Sequence, residues 1–263
     1  MQEMIFEKLP NTRDLADVPL SGGRQIRPGM LIRSGMLYAA SEQDIRTLAQ
    51  LPVTLILDFR SDQECIEKPD PAIPGAEYLN IAPFRDTISG ITRDIRSDAR
   101  MMEQLKNPVK ADPDIAIRYM TTLYREMGRN PDVHSCYHRF FELLLQNRSG
   151  ATLWHCTAGK DRAGFAAILL LAALGADRDA ILADYLRTNE NVQHEIAYII
   201  KAEKLEGLPA EETVRAFFGA RQEYLNALFE SINGVYGGMK EFLKNQIGVT
   251  DEMQKALLER FTV

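Results

Sequence analysis

Residues 154–164 read Trp-His-Cys-Thr-Ala-Gly-Lys-Asp-Arg-Ala-Gly, with five residues between Cys156 and Arg162. The cysteine ends an apolar run that reads as a buried strand, and the arginine enters an apolar run that reads as a helix. A loop in that setting can curl so that successive backbone N–H groups converge, and the helix N-terminus adds partial positive charge. A tetrahedral phosphate fits such a cradle. Arg162 offers two donors in a fork that lysine cannot copy. The same groups favour a thiolate on Cys156, which is then placed for in-line attack on phosphorus and a phosphocysteine intermediate. The binding set is the loop backbone at Thr157, Ala158, Gly159 and Lys160, followed by Ala163 and Gly164 in the first helical turn. The competing reading is a structural cysteine in a strand-to-helix turn. Cys, Gly, Lys, Arg and Gly at compatible offsets outweigh it.

Thr152–His155 is the strand that feeds this loop, and Gly164–Leu174 is the helix that leaves it, ended by Gly175. Val53–Phe59 is a continuous apolar run, as in a strand buried on both faces of a parallel sheet, with Tyr78–Ala82 a weaker second strand. The first 40 residues look irregular, with short strands expected at Gln25–Ile26 and Met30–Ile32. Ser41 caps a helix through Gln50. Asp112-Pro113 and Asn130-Pro131 each start a helix, running to Met127 and Gln146. Residues 85–111 suit a loop or a mobile helix. Asp177 caps a helix through Arg187, and 189–263 is helical, broken near Gly207–Pro209, Gly219, Gly237–Gly238 and Gly248. The expected fold is an α/β three-layer sandwich: a short, mostly parallel sheet, helices on both faces and extra C-terminal helices, in one domain over 1–263.

Composition excludes several classes. Hydrophobic residues are 45% and charged residues 26%, the balance of a globular chain. A net charge of −6 gives no basic footprint for nucleic acid. The three cysteines, Cys65, Cys136 and Cys156, form neither a disulfide framework nor a CxxC pair, so a reducing, cytoplasmic compartment is expected. The first residues lack a signal-peptide pattern, and the longest apolar run is too short to span a bilayer. His134 and His138 share a helix face but have no third ligand with metal spacing, and read as surface or partner residues. Neither a metal nor an organic cofactor is expected.

His155–Arg162, HCTAGKDR, resembles the signature loop of the cysteine-dependent tyrosine phosphatase superfamily. Its Gly-Lys-Asp-Arg ending resembles a bacterial branch of atypical phosphatases acting on phosphotyrosine, phosphoserine/threonine and phosphoinositides. Further segments are similar to that branch: Asn11-Thr12-Arg13-Asp14-Leu15, Leu31-Ile32-Arg33-Ser34-Gly35, Leu57-Asp58-Phe59-Arg60-Ser61, and Asp184-Tyr185-Leu186 with Thr188-Asn189. The resemblance covers nearly the whole chain. It implies hydrolysis of phosphate monoesters of protein or phosphoinositide, releasing inorganic phosphate. Cys156 is then the nucleophile, and Asp161, just before the arginine, the general acid. Asp86, on a separate loop, is the alternative acid. The resemblance also suggests a lid from residues 85–111 or 189–219, and leaves room for non-classical secretion.

Three further expectations concern the surroundings. Lys160 would raise the positive potential at the pocket mouth, suiting a second phosphate. Asp58, Arg60, Arg13, Asp14 and Arg33 fall near strand ends and read as a buried ion network holding the loop, more than as ligand contacts. His155 sets the loop by bonding backbone. One departure stands out: Ala163 occupies the place where the superfamily has Ser or Thr, whose hydroxyl helps the thiolate leave. The second step is then slower, or Thr157 supplies the donor. Two competing functions follow: a pseudophosphatase that binds without turnover, and another user of a cysteine anion loop, such as a sulfurtransferase or arsenate reductase. The helix-entering Arg162 disfavours the latter.

Overall fold

Five strands, β1 (Arg13–Asp14), β2 (Leu31–Ser34), β3 (Val53–Asp58), β4 (Glu77–Asn80) and β5 (Ala151–His155), form one sheet in the order β1-β2-β5-β3-β4. The computed structural model describes residues 6–9, 11–83 and 106–263. Only β1 is antiparallel to its neighbour. Every residue of the central β5 is buried, which is why its sequence does not alternate. The parallel register aligns Ser34, His155, Asp58 and Asn80 across the carboxyl edge. Chain leaving β5 therefore enters the crevice where open α/β sheets bind ligands.

Two short helices, α1 (Glu42–Gln50) and α2 (Asp62–Glu67), each open with a capping box, Ser41 with Asp44 and Ser61 with Glu64. Helices α3 (Pro113–Met127) and α4 (Pro131–Gln146) start as expected, with Asp112 and Asn130 accepting from the first-turn backbone ahead of proline. Helix α5 (Arg162–Leu174) is buried at every position except Ala172. Such a helix must run through the core. It stops at Gly175, whose φ of 93° suits glycine. The rest is helical: α6 (Arg178–Leu186), α7 (Thr188–Ala202), α8 (Pro209–Phe218), α9 (Gln222–Tyr236), α10 (Met239–Phe242), a π-turn and α11 (Asp251–Phe261). Tyr224, Leu228, Val214 and Phe261 from these helices share one apolar cluster with Leu57 and Trp154 of the sheet.

Several expectations need correction. Gln25–Ile26 does not form a strand; Ile26 makes a single bridge to Thr262. The weaker strand spans Glu77–Asn80 rather than Tyr78–Ala82. Arg13–Asp14, expected to be irregular, is an edge strand, and α2 was not foreseen. His134 is not a surface residue: it is buried edge-on against Phe242 and Tyr236. Residues 84–105, most of the expected 85–111 loop, lie outside the described residues.

The first two strands are locked to α6 by charge. Arg13 Nε donates to Asp184 Oδ1 at 2.8 Å, and Arg33 Nη1 to Oδ2 at 2.9 Å. All three side chains are buried. Burial and the neighbouring Arg13 charge lower Arg33 to about 10. Burial opposes ionisation of Asp184, yet Arg13 and Arg33 outweigh it and hold its carboxyl below the ordinary range. A carboxylate depressed in the folded state stabilises fully above its unfolded value, and that contribution is lost as pH falls through the folded one. Asp184→Asn leaves two buried guanidiniums uncompensated and is expected to cost about 3–5 kcal/mol at pH 7. The gap to the parent chain should narrow as pH drops below the ordinary aspartate value of 3.8. Urea unfolding at neutral and acid pH checks both.

Candidate active site

The loop after β5 is held from outside through its carbonyl oxygens. Thr157 O accepts from Met36 N at 3.0 Å, and Ala158 O from Asn11 Nδ2 at 3.1 Å. Gly159 O accepts from Arg33 Nε at 2.9 Å, and Lys160 O from Arg33 Nη2 at 3.1 Å. In a trans peptide the N–H points opposite to the carbonyl before it. Four carbonyls tied outward therefore turn the amides of Ala158, Gly159, Lys160 and Asp161 inward. Gly159 has a φ of 70°, and a Cβ there would lie 2.6 Å from Ser34 O. Gly164 has a similar reason: a Cβ would meet Arg33 Nη2 at 2.7 Å. The two glycines let β2 and its arginine lie against the loop. Farther along, Arg162 O accepts from Tyr137 Oη at 2.8 Å and Ala163 O from Trp154 Nε1 at 3.1 Å.

Cys156 is 2% exposed at the base of this loop. Arg162 is fastened by Glu64 of α2. Its Nη1 donates to Glu64 Oε2 at 2.7 Å and to Phe59 O at 3.1 Å, and its Nη2 donates to Glu64 Oε1 at 3.0 Å and Thr157 Oγ1 at 3.1 Å. These bonds use four of the five guanidinium N–H groups and leave Nε–H. The Thr157 hydroxyl donates to Glu64 Oε1 at 2.5 Å. Burial disfavours the Glu64 charge, but Arg162 and Thr157 more than compensate and hold it below the ordinary range. Burial works against the Arg162 charge too, and Cys156 and Glu64 reverse that to raise its pKa. Glu64 was missed in the sequence. Its signal was Ser61-x-x-Glu64, a capping box that marks a helix start right after the β3 end.

Asp161 stands beside Arg162 with 18% of its side chain exposed. Its Oδ1 accepts from Tyr124 Oη at 2.7 Å and lies 3.6 Å from Lys160 Nζ. Neither Arg60 nor Arg13 pairs with it. Lys160 is not at the mouth of the site: it is 2% exposed. Its Nζ donates to Phe217 O at 2.5 Å and to Gly219 O at 3.3 Å, the carbonyls at the end of α8. Burial pushes its ammonium down, against the pull of Asp161. Asp86 lies outside the described residues.

Beneath the loop, His155 sits in a buried polar cluster. Its Nδ1 is 3.4 Å from Cys156 O and 3.7 Å from Asp58 Oδ1, and its Nε2 is 3.2 Å from Asp70 Oδ2. Arg60 Nη2 joins Asp58 Oδ2 at 2.8 Å to Asp70 Oδ2 at 2.5 Å. Tyr78 Oη donates to Asp58 Oδ2 at 2.6 Å. Burial resists ionisation of Asp58, and His155 and Arg60 drive it well below the usual range. The expected ion network thus exists in two parts, Arg13–Asp184–Arg33 and Asp58–Arg60–Asp70–His155. Asp14 is apart from both, accepting from the Ala16 and Gly29 amides. Asp58, Asp70 and His155 alone among the described residues have metal-ligand spacing. The Arg60 guanidinium already sits on both carboxylates and repels a second cation there.

The chain matches the model of the tyrosine phosphatase family over residues 4–263. A Cupriavidus necator protein assigned as a tyrosine-protein phosphatase is 32% identical over 251 residues, covering 94% of this chain and 85% of the relative. Triple specificity protein phosphatase PtpB of Mycobacterium tuberculosis is 31% identical over 266 residues, covering 92% and 94%. A tyrosine-protein phosphatase of Nostoc commune is 25% identical over 84% of this chain and 70% of its own. A crystal structure of P. aeruginosa TpbA in complex with pTyr covers 78% of this chain and 94% of its own, at 13% identity and a TM-score of 0.32, too low to bear on the argument.

The Glu64 contacts carry a test. Glu64→Gln keeps the shape but removes the charge that orients Arg162 and engages Thr157. Hydrogen bonds to charged groups are worth about 1.5–3 kcal/mol, so kcat/KM for p-nitrophenyl phosphate should fall by roughly ten- to a hundredfold. Steady-state kinetics beside a melting curve separate this loss from unfolding.

Proposed function

The chain belongs to the tyrosine phosphatase family, and we propose that its Cys156–Arg162 loop performs the hydrolysis through phosphocysteine. The carrying observation is the set of four outward-tied carbonyls at Thr157, Ala158, Gly159 and Lys160. A cradle so prearranged meets the phosphoryl oxygens without reorganising as charge shifts among them. Cys156 Sγ attacks phosphorus in line, and the bond to the leaving oxygen breaks as Asp161 gives that oxygen its proton. Arg162 grips two phosphoryl oxygens through Nε and Nη2, and Nη2 exchanges its Thr157 contact for phosphate. Glu64 keeps the far edge of the guanidinium fixed throughout. Water then attacks the phosphocysteine, with the Asp161 carboxylate as base, releasing inorganic phosphate and the Cys156 thiolate.

The likeness to PtpB supports breadth. We place phosphotyrosine first, with phosphoserine/threonine and phosphoinositides as further substrates. Lys160 reaches a second phosphate only when the Phe217 and Gly219 carbonyls release it. Phosphopeptides and inositides assayed side by side decide the order. Cys156→Ser is expected to lose turnover by orders of magnitude while still binding inorganic phosphate by calorimetry, because serine is not ionised at neutral pH. Activity within about tenfold of the parent would remove Cys156 from this role.

Ala163 is fully buried in the first turn of α5. It offers no hydroxyl to the departing sulfur. The Thr157 proton is already committed to Glu64, so Thr157 is a poor substitute. Phosphocysteine should accumulate, giving a pre-steady-state burst of p-nitrophenol near one equivalent of enzyme. Ala163→Ser should shrink the burst and raise kcat by roughly tenfold, the worth of one hydrogen bond to a charged group. Turnover with no burst at all would show that loss of the thiolate is not limiting.

A further inference from the structure

A chain of phenols reaches Asp161 from outside the loop. Tyr185 Oη of α6 donates to Tyr124 Oη of α3 at 2.9 Å, and Tyr124 Oη donates to Asp161 Oδ1 at 2.7 Å. Both tyrosines are buried, Tyr124 at 1% exposure. Burial and the Asp161 charge raise the Tyr124 hydroxyl well above the ordinary phenol value. It is therefore a donor at any working pH. Tyr124 lies on the inward stripe of α3 with Ala116, Met120, Leu123 and Met127, and its ring is 5.9 Å from Tyr185 and 5.8 Å from Tyr224. The packing fixes where the hydroxyl points. With Oδ1 taken by Tyr124 and approached by Lys160, the described residues leave Oδ2 without a hydrogen bond.

We propose that Tyr124, backed by Tyr185, is the positioning residue of the general acid: it pins Asp161 Oδ1 so that Oδ2 carries the proton to the leaving oxygen. The inference rests on the reading of Asp161 as that acid. As the Cys156 Sγ–P bond forms and the P–O ester bond breaks, the Oδ2 proton passes to the leaving oxygen. The alcohol or phenol departs neutral, and Asp161 becomes a carboxylate. The charge arriving on Asp161 meets a hydroxyl already aimed at it. A hydrogen bond to the charged form counts for more than one to the neutral acid, so the contact strengthens as the proton leaves. Supply of a proton matters for a poor leaving group and hardly at all for p-nitrophenolate. A group acting through Asp161 must share that dependence. A group that only packs the loop would not.

The test uses the full chain with Tyr124→Phe, Tyr185→Phe, Asp161→Asn and the Tyr124→Phe/Asp161→Asn double variant. Each is assayed for kcat/KM on p-nitrophenyl phosphate and on an alkyl phosphate, beside its melting temperature. Tyr124→Phe should lose about tenfold more on the alkyl ester than on the p-nitrophenyl ester, the scale of one charge-assisted hydrogen bond. Tyr185→Phe should lose less, with the same preference. In the Asp161→Asn background the Tyr124→Phe effect should vanish, since no proton is left to deliver. Equal losses on both esters, or losses that simply add in the double variant, overturn the positioning role even if the melting temperature falls. If Asp161→Asn itself shows no leaving-group dependence, the acid assignment fails and the proposal with it. If Asp161→Asn shows it and Tyr124→Phe does not, the proposal alone fails.

Discussion

Outward restraint of the loop carbonyls is the constraint on which the site depends. An isolated segment of six residues has no reason to point its amides at one spot, because converging N–H dipoles repel one another. The fold overcomes this by giving the opposite end of each peptide a better partner. Arg33 bonds two of the carbonyls, Asn11 a third and the Met36 amide a fourth. Arg33 can be buried there because Asp184 neutralises it, and Asp184 in turn is held by Arg13. Removing Asp184 leaves two buried guanidiniums unbalanced in a medium that solvates charge poorly, and removing Arg33 frees two of the four carbonyls.

The same logic recurs below and beside the loop. Below it, Asp58, Arg60, Asp70 and His155 form a second buried set of opposite charges, gathered at the ends of β3 and β5 and from the chain after α2. Beside it, Glu64 fixes Arg162 while also capping α2, so one carboxylate both starts a helix and aims a guanidinium. Glu64 Oε2 serves both, accepting from Ser61 N in the capping box and from Arg162 Nη1 in the ion pair, while Oε1 accepts from Arg162 Nη2 and Thr157 Oγ1. Arg162 is therefore positioned by a helix of six residues that its own capping box starts.

Much of this was legible before any coordinates. The continuous apolar runs marked β3 and β5, because strands buried on both faces cannot alternate. Asp112-Pro113 and Asn130-Pro131 marked the starts of α3 and α4, because a cap followed by proline has few other uses. Cys156 and Arg162 were legible through their spacing across a strand–loop–helix junction. Other features depend on pairing across long separations. The partners of Arg13, Arg162 and Asp161 lie 171, 98 and 37 residues away. Nothing local to Tyr124 says that it meets an aspartate rather than more core. Lys160 misled for the same reason: a lysine at a loop tip is usually solvated, and only the arrival of α8 buries it. His134 likewise looks exposed until α10 and the end of α9 cover it.

The two-residue strand β1 has a consequence for how the molecule assembles. It contributes little to the sheet, yet Asn11 and Arg13 bond groups 147 and 171 residues farther along. Contacts of such long range close late, because the entropy lost in bringing the ends together precedes any reward. Residues 31–155 can pair β2, β3, β4 and β5 before α6 is docked. During synthesis the chain would thus acquire its sheet first and the full restraint of the loop afterwards, when α6 brings Asp184 to the waiting arginines. The loop takes its shape only after the sheet, and a chain that has grown past Cys156 but not yet to Asp184 carries the thiol without the restraint that arranges its surroundings.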